Sequence, residues 1–156
     1  MARTIRPAVE SLEDRLTPSG MAGENVNVVA LLTNAAAKYT NVAYQNIQKL
    51  SALNQSAQAV YQQAQSAGTI PSLASLESAL SQARSIVARQ HSAHNAMRLV
   101  DLADKQYQRY YHAHGVSFND TQFRAWDHDF HAYDNWITTK AVPYINAMEA
   151  WLNSVL

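Results

Sequence analysis

Six histidines in a chain without cysteine are the first residues that could do chemistry. His91 and His94 are three positions apart, a spacing that on a helix places both imidazoles on one face. His128 and His131 repeat the spacing further along the chain. Imidazole is a common ligand of Zn²⁺ and Cu²⁺. One hypothesis is therefore a shared metal site formed by His91, His94, His128 and His131.

The spacing of these histidines argues against hydrolytic zinc or di-iron chemistry. Neither the H-E-x-x-H pattern nor paired E-x-x-H patterns occur. His112 and His114 add two imidazoles at a predicted link between helices, and Asp127 adds a carboxylate beside the second pair. The alternative interpretation, which we favour, is that the histidines lie on solvated faces or are hydrogen-bonded within the core.

Other catalytic arrangements are missing from the sequence. The four glycines are isolated, so there is no phosphate-binding loop, and no G-x-S-x-G motif is present. Asp101 and Asp104 are one helical turn apart, but the nearby Arg98 and Lys105 favour surface ion pairs over acid–base catalysis. We therefore predict a non-enzymatic protein without catalytic residues or a cofactor.

The charge balance and the hydropathy exclude two further classes of protein. Twelve basic and twelve acidic residues cancel, and no basic stripe of the kind that holds nucleic-acid phosphates is present. No segment reaches the roughly 18 apolar residues of a membrane-spanning helix. We expect protein subunits or a second copy of the chain as partners, with no nucleic acid and no membrane span.

Apolar residues at three–four spacing, with few Gly and Pro, predict an all-α fold. Gly68 and Pro71 separate the first helix from the second, which Ser72 should cap, and Gly115 ends the second. Pro143 should kink or break the last helix. Because the links between the helices are short, we expect an elongated, coiled-coil-like bundle of three helices in up–down–up order. A flexible tail precedes the first helix. The predicted segments are a tail over residues 1–24 and helices over about 25–67, 72–112, 119–141 and 143–155.

The apolar stripes predict which faces form the core. The first helix contributes small residues such as Ala43 and Ala57, whereas the last helix contributes large aromatic ones. Trp126 should be among the most important of these for stability, because a buried indole removes a large apolar area from water. Asn119 or Asp120 should cap this helix at its start.

The first helix has an unusual outer face. Lys38 and Lys49 are its only charged residues, and Gln, Asn and Ser fill most of the other polar positions. Uncharged polar side chains are less costly to desolvate than charged ones. We predict that Gln55, Gln58 and Gln62 contribute to a surface for a partner. The alternative of an ordinary solvated face is equally compatible with the composition.

Residues 6–19 read RPAVESLEDRLTPS. This stretch resembles the LEPR-XLL-type N-terminal sorting segment of exported planctomycete proteins. Asp14 stands where the type motif has Pro, and Thr17-Pro18 stand where it has Leu. The resemblance implies a planctomycete source and an extracytoplasmic location, in the periplasm or at the cell surface.

The block DKQYQRYY at residues 104–111 lies on the predicted second helix. It follows the Gln-rich end of the first helix and the Leu-rich start of the second. It is similar to the D-x-Q-[FY]-Q-R-x-Y signature of the TrbJ family, P-type conjugative transfer proteins that are minor pilus components of type IV secretion systems. His112 stands where the family usually has Pro. The resemblance covers about residues 55–136. Its matching positions are Asp104, Gln106, Tyr107, Gln108, Arg109, Tyr111 and, on the next helix, Trp126.

These patterns lead to three functional hypotheses. The first is an exported, non-enzymatic helical protein, similar to TrbJ-like pilus components, that acts through helix-face contacts in a conjugative or type IV secretion apparatus. The second is a small extracytoplasmic protein that binds Zn²⁺ or Cu²⁺ through its histidines. The third is a surface protein of one lineage whose bundle merely resembles the transfer family.

Overall fold

The computed structural model describes residues 21–70 and 72–156, with their side chains from residue 25 onward. It contains three long helical rods and, over those residues, no β-strand, which confirms the all-α prediction. None of the described helices is long and apolar enough to cross a membrane. The first rod is α1 (Met21–Ala67) and the second is α2 (Leu73–Ala113). The third rod consists of α3 (Thr121–Trp136), a π-helical turn (Ile137–Ala141) and α4 (Val142–Val155).

Hydrogen bonds between distant parts of the chain fix the order of the rods. The side-chain amide of Asn25 donates to the carbonyl oxygen of Ser117. Further along, Thr40 Oγ1 donates to the carbonyl oxygen of Trp126 over 2.9 Å. α1 and the third rod therefore run in the same direction, and α2 runs back against both. Because α1 has 47 residues and a helix rises 1.5 Å per residue, this rod is about 70 Å long and the bundle is elongated.

The buried face of α1 repeats every seven residues, which is the period of a left-handed coiled coil. Small side chains at most of these positions allow α1 to approach α2 and α3 closely and to make many dispersion contacts along its length. Ile47 and Tyr61 lie at the half-buried edge of this face. The repeat, at most 7% exposed, is Ala36, Ala43, Leu50, Ala57 and Ala64.

Glycine ends the first helix, as the sequence predicted. α1 stops at Ala67, and Gly68 follows with a φ of 66°, a left-handed conformation that favours glycine. The helix begins at Met21, four residues before the expected start. The last four residues of the tail predicted over residues 1–24 therefore belong to α1. Residues 1–20 and the predicted break at Pro71 lie outside the described residues. Ser72 occupies the N-cap position of α2, as predicted, but its side chain makes no capping hydrogen bond.

A Schellman motif ends α2. Gly115 has a φ of 68° and donates to the carbonyl oxygen of His112 over 3.1 Å, while the Val116 amide donates to the carbonyl oxygen of Tyr111 over 2.9 Å. Asn119 then accepts a hydrogen bond from the Thr121 amide at 3.2 Å. Of the two predicted caps for α3, Asp120 occupies the N-cap position, and Asn119 is the one whose side chain bonds to the helix start.

The third rod widens before Pro143 but does not break. A π-helical turn over Ile137–Ala141 is followed directly by α4, with Pro143 in its first turn. Proline has no amide hydrogen to donate, and a widened turn is one way for a helix to continue through such a position. The hydroxyls of Thr138 and Thr139 donate to the carbonyl oxygens of Asp134 and Asn135, over 3.0 and 2.7 Å, just before this point.

Two apolar clusters fill the bundle, one near each end. The cluster near the α2–α3 link centres on Phe130 and Tyr111, and the other cluster centres on Leu76 and Ile137. These four side chains are at most 1% exposed. Trp126 packs against the first cluster but is only partly buried, so Phe130 and not Trp126 is the best-buried aromatic residue of the third rod.

Candidate functional site: a polar seam between α2 and α3

A row of polar side chains lies in the contact between α2 and α3, beside the apolar residues of the first cluster. On α2 they recur every seven residues, and on the third rod they recur at the same interval in the opposite direction. This is the register expected where two antiparallel helices cross at a small angle. The facing pairs are His94 with Asp134, Asp101 with Asp127, and Gln108 with Asp120.

The first pair belongs to a network that joins all three rods. His94 Nδ1 lies 2.8 Å from one carboxylate oxygen of Asp134, and Gln90 Nε2 donates to the other oxygen over 2.9 Å. Asn46 Nδ2 on α1 donates to Gln90 Oε1 over 2.9 Å. Gln90 and Asn46 are only 3% and 1% exposed. Because buried amides must keep their partners, this network fixes the relative register of the rods.

The second pair includes His131, one turn after Asp127. His131 Nε2 lies 3.0 Å from an Asp127 oxygen and 3.4 Å from an Asp101 oxygen. Burial raises the pKa of Asp101 to about 6, helped by a hydrogen bond with Asp127 and by its negative charge, while His131 acts in the opposite direction. Asp101 therefore holds a proton more readily than an ordinary carboxyl group.

The third pair is built around a buried carboxyl group. Gln108 Nε2 donates to Asp104 Oδ2 over 2.8 Å and also to Asp120. Arg124 Nε lies 2.9 Å from the Asp120 carboxylate. Asp104 is 6% exposed, and burial, followed by the charge and hydrogen bonding of Asp120, raises its pKa to about 7.

The seam corrects the expected role of two carboxyl groups. Asp101 and Asp104 were predicted to form surface ion pairs with Arg98 and Lys105. Instead, Asp101 faces Asp127 and His131, and Asp104 is buried beside Asp120 and Gln108. Asp101 lies seven residues before Gln108, and Asp104 lies seven residues before Tyr111. These positions form the inner side of α2, so both carboxyl groups face the third rod.

The four histidines proposed as metal ligands do not come together. Among the residues described, one set of three side chains has possible metal-ligand atoms that all lie within 4.8 Å of one another. This set contains His131 but none of the other three histidines. His94 is bound to Asp134. His91 is exposed, and His128 is exposed beside Asp129 at 3.5 Å. The set that replaces them is Asp101, Asp127 and His131.

The residues of the TrbJ-like signature are mostly accounted for by packing. Asp104, Tyr107 and Tyr111 are buried, and Gln108 lies in the seam. Partly buried Trp126 packs on the first cluster, and its carbonyl oxygen accepts the hydrogen bond from Thr40. Only Gln106 and Arg109 are exposed. In this chain, most of these positions therefore serve the packing of the helical hairpin.

A second polar feature lies on the outer side of α1. Every seventh residue along it is an exposed amide, and we call this set the amide row. Gln55 and Gln62, two of the three predicted partner-surface residues, belong to it, and the third, Gln58, is exposed beside it. The amide row consists of Asn27, Asn34, Asn41, Gln48, Gln55 and Gln62.

No family model matches this chain, and neither a curated protein nor a solved structure matches it. The resemblances to the TrbJ family and to the LEPR-XLL-type segment therefore stay predictions. The segment-like residues 6–19 lie outside the described part of the chain.

Proposed function

We propose that this chain is a non-enzymatic helical protein that associates through the outer face of α1, and that the occupant of this face is a second copy of the chain. The observation that carries the proposal is the amide row. From Asn27 to Gln62 it spans 35 residues, or about 52 Å of helix surface.

Charge supports a protein partner at this face. Lys38 and Lys49 are the only charged residues between positions 25 and 67, so a docked helix would bury few ions. Amide side chains both donate and accept hydrogen bonds. A row of amides is therefore complementary to another copy of itself, as a two-fold symmetric interface requires. Exposed apolar side chains on the same helix, Leu31 at 49% and Tyr44 at 48%, add area that association would remove from water.

A more specific role follows from the sequence resemblances. We propose that the protein acts outside the cytoplasm, in the periplasm or at the cell surface, as a minor component of a conjugative or type IV secretion apparatus. The support is the likeness of residues 104–111 to the TrbJ signature and of residues 6–19 to the sorting segment. The test is the gene neighbourhood: secretion ATPase and channel genes beside this gene are expected, and their absence across related genomes would contradict the role.

Self-association can be tested by placing charge on the face. Gln55→Lys, Gln58→Lys and Gln62→Lys together put three cations on exposed positions of α1. We expect sedimentation equilibrium to show a dimer for the native chain and at least a tenfold weaker dimer for this variant, because association through this face would desolvate the added cations.

The matched control makes the same chemical change elsewhere on the surface. The control combines Gln82→Lys, Gln106→Lys and Gln122→Lys. These three glutamines are also exposed, and they lie on α2 and α3. This control should dimerise as the native chain does. A monomeric native chain, or equal weakening in the two triple variants, would refute self-association through α1, provided that circular dichroism shows folded helices.

A second candidate function is divalent cation binding by Asp101, Asp127 and His131. Ligands about 2.1 Å from a tetrahedral Zn²⁺ are roughly 3.4 Å apart, and the distances from His131 Nε2 to the two carboxylates, 3.0 and 3.4 Å, match that separation. Two carboxylates and one imidazole would leave a fourth position open, as in zinc sites with three protein ligands.

Calorimetric titration with Zn²⁺ tests the cation site. The native chain should bind one Zn²⁺, and His131→Ala should weaken binding at least tenfold. His128→Ala is the matched control, because His128 is an exposed histidine of the same helix outside the site. Equal Zn²⁺ affinities of the two histidine variants would exclude the site.

A further inference from the structure

The total charge of the chain is balanced, but the charge on the surface of α2 is not. Twelve basic and twelve acidic residues cancel over the whole sequence. On α2 beyond Arg84 there are two acidic residues, the half-buried Asp101 and the buried Asp104, and both face the third rod. The arginines and the lysine of the same stretch are all exposed. The polar seam therefore covers the negative charge of α2 and leaves its outer surface positive.

Three of these cations form one stripe with a leucine. Arg98, Leu102, Lys105 and Arg109 follow one another at intervals of four, three and four residues. Because successive residues of an α-helix are about 100° apart, these four lie within a sector of about 60° and extend over about 17 Å. Leu99 lies beside this sector. We call these five residues the basic face.

The charges of the basic face are not neutralised within the described part of the chain. Arg98, Lys105 and Arg109 form no ion pair there, in contrast to Arg84, which binds Glu149. Neighbouring charges of one sign add up to a positive potential at the surface, and such a potential attracts anions. The basic face is therefore suited to an anionic partner.

The two leucines of the basic face define the partner further. Leu99 and Leu102 are 42% and 48% exposed, and they lie one helical turn apart. Covering such side chains removes apolar area from water, which favours binding. The partner should therefore present anionic groups and apolar groups to one side of a single helix. The phosphate backbone of a nucleic acid presents only the charge.

We propose that the basic face binds the surface of an anionic phospholipid membrane. The three cations contact the lipid phosphates, and Leu99 and Leu102 enter the boundary between the headgroups and the acyl chains. Arginine and lysine are longer than leucine, so their charges can stay at the level of the phosphates while the leucines lie deeper. Binding at the surface requires no membrane-spanning helix. The basic face and the amide row lie on different rods, so membrane binding does not depend on self-association through α1.

Co-sedimentation of the full chain with vesicles measures this binding. The chain should bind saturably to vesicles of phosphatidylcholine and phosphatidylglycerol in equal amounts. It should bind at least tenfold more weakly to phosphatidylcholine alone, because those vesicles have no net negative charge. Raising the salt from about 50 mM to about 500 mM should weaken binding to the mixed vesicles at least tenfold by screening. Equal binding to the two kinds of vesicle, binding to neither, or binding that salt does not change would overturn the proposal.

Charge variants locate the binding surface. One variant removes the three cations of the basic face: Arg98→Gln, Lys105→Gln and Arg109→Gln. The matched control removes three exposed lysines outside this face: Lys38→Gln, Lys49→Gln and Lys140→Gln. The first variant should bind the mixed vesicles at least tenfold more weakly than the native chain, and the control should bind as the native chain does. Equal affinities of the two variants would overturn the assignment of binding to α2.

A leucine variant distinguishes a lipid surface from other polyanions. Leu99→Ala with Leu102→Ala keeps every charge and should weaken binding to the mixed vesicles at least fivefold, because less apolar area leaves water. The same variant should bind polyglutamate as weakly as the native chain does. Unchanged vesicle binding would mean that charge alone attracts the chain. Tighter binding of the native chain to polyglutamate than to the mixed vesicles would mean that the partner is an acidic protein segment. Either result would overturn the proposal.

Discussion

The raised pKa of Asp104 predicts an unusual pH dependence of stability. Its pKa rises from 3.8 to about 7 in the folded chain. Between these two values the folded chain binds more protons than the unfolded chain, so the free energy of unfolding should fall as the pH rises from about 4 to about 7. Asp101, raised from 3.8 to about 6, acts in the same direction.

Asp104→Asn isolates this effect. Asparagine resembles the protonated acid: its oxygen can still accept from Gln108, and its amide can donate to Asp120. One pKa unit corresponds to about 1.4 kcal/mol, so the Asp104 carboxylate destabilises the fold by at most roughly 4 kcal/mol above pH 7. Screening by solvent reduces this to about 2 kcal/mol.

Urea unfolding followed by circular dichroism at pH 4.5 and pH 8 provides the measurement. The stability of Asp104→Asn relative to the native chain should increase by about 1.5 to 2 kcal/mol between the two pH values. Asp129→Asn, which removes a carboxylate from an exposed position on α3, is the control and should show no comparable change. Equal destabilisation by Asp104→Asn at both pH values would refute the reasoning, because it would mean that the folded state requires the ionised carboxylate.

Three further predictions concern the fold. Phe130→Ala, which empties a fully buried site, should cost about 3 to 5 kcal/mol, whereas Trp126→Ala should cost less because Trp126 is only partly buried; comparing urea midpoints checks the order. Gly115→Ala should lower stability by about 1 kcal/mol because of its left-handed φ of 68°, and Gly115→Asn should lower it less, as thermal unfolding would show. Arg84→Ala should change the free energy of unfolding by less than about 1 kcal/mol, because the Arg84–Glu149 ion pair is exposed, and a larger loss would mean that the pair holds α2 against α4.

The helices could be predicted from the sequence because their signals are local. Gly68 and Gly115 end helices through their own backbone conformation, and the small residues of α1 show their period within one segment. The sequence did not decide whether Pro143 would kink the last helix or break it. A single proline does not determine whether the preceding residues widen into a π-helical turn.

The seam could not be predicted from one helix at a time. His91 and His94 are one turn apart, so a local search pairs them, but the structure uses positions seven residues apart that face another helix. The pairing of Asp101 with Asp127 depends on the relative register of two rods, which the geometry of the link at Gly115 sets. A search for seven-residue repeats of polar residues on both helices would have found the seam, and the same search would have found the amide row.

The central claim, that the outer face of α1 meets the same face of a second chain, is tested most directly by cross-linking. The native chain has no cysteine, so Gln48→Cys places a single thiol near the middle of the amide row. Under mild oxidation we expect a disulfide-linked dimer for this variant and a monomer for Gln106→Cys, whose thiol lies on an exposed position of α2. A monomeric Gln48→Cys chain, or equal cross-linking of the two variants, would contradict the account.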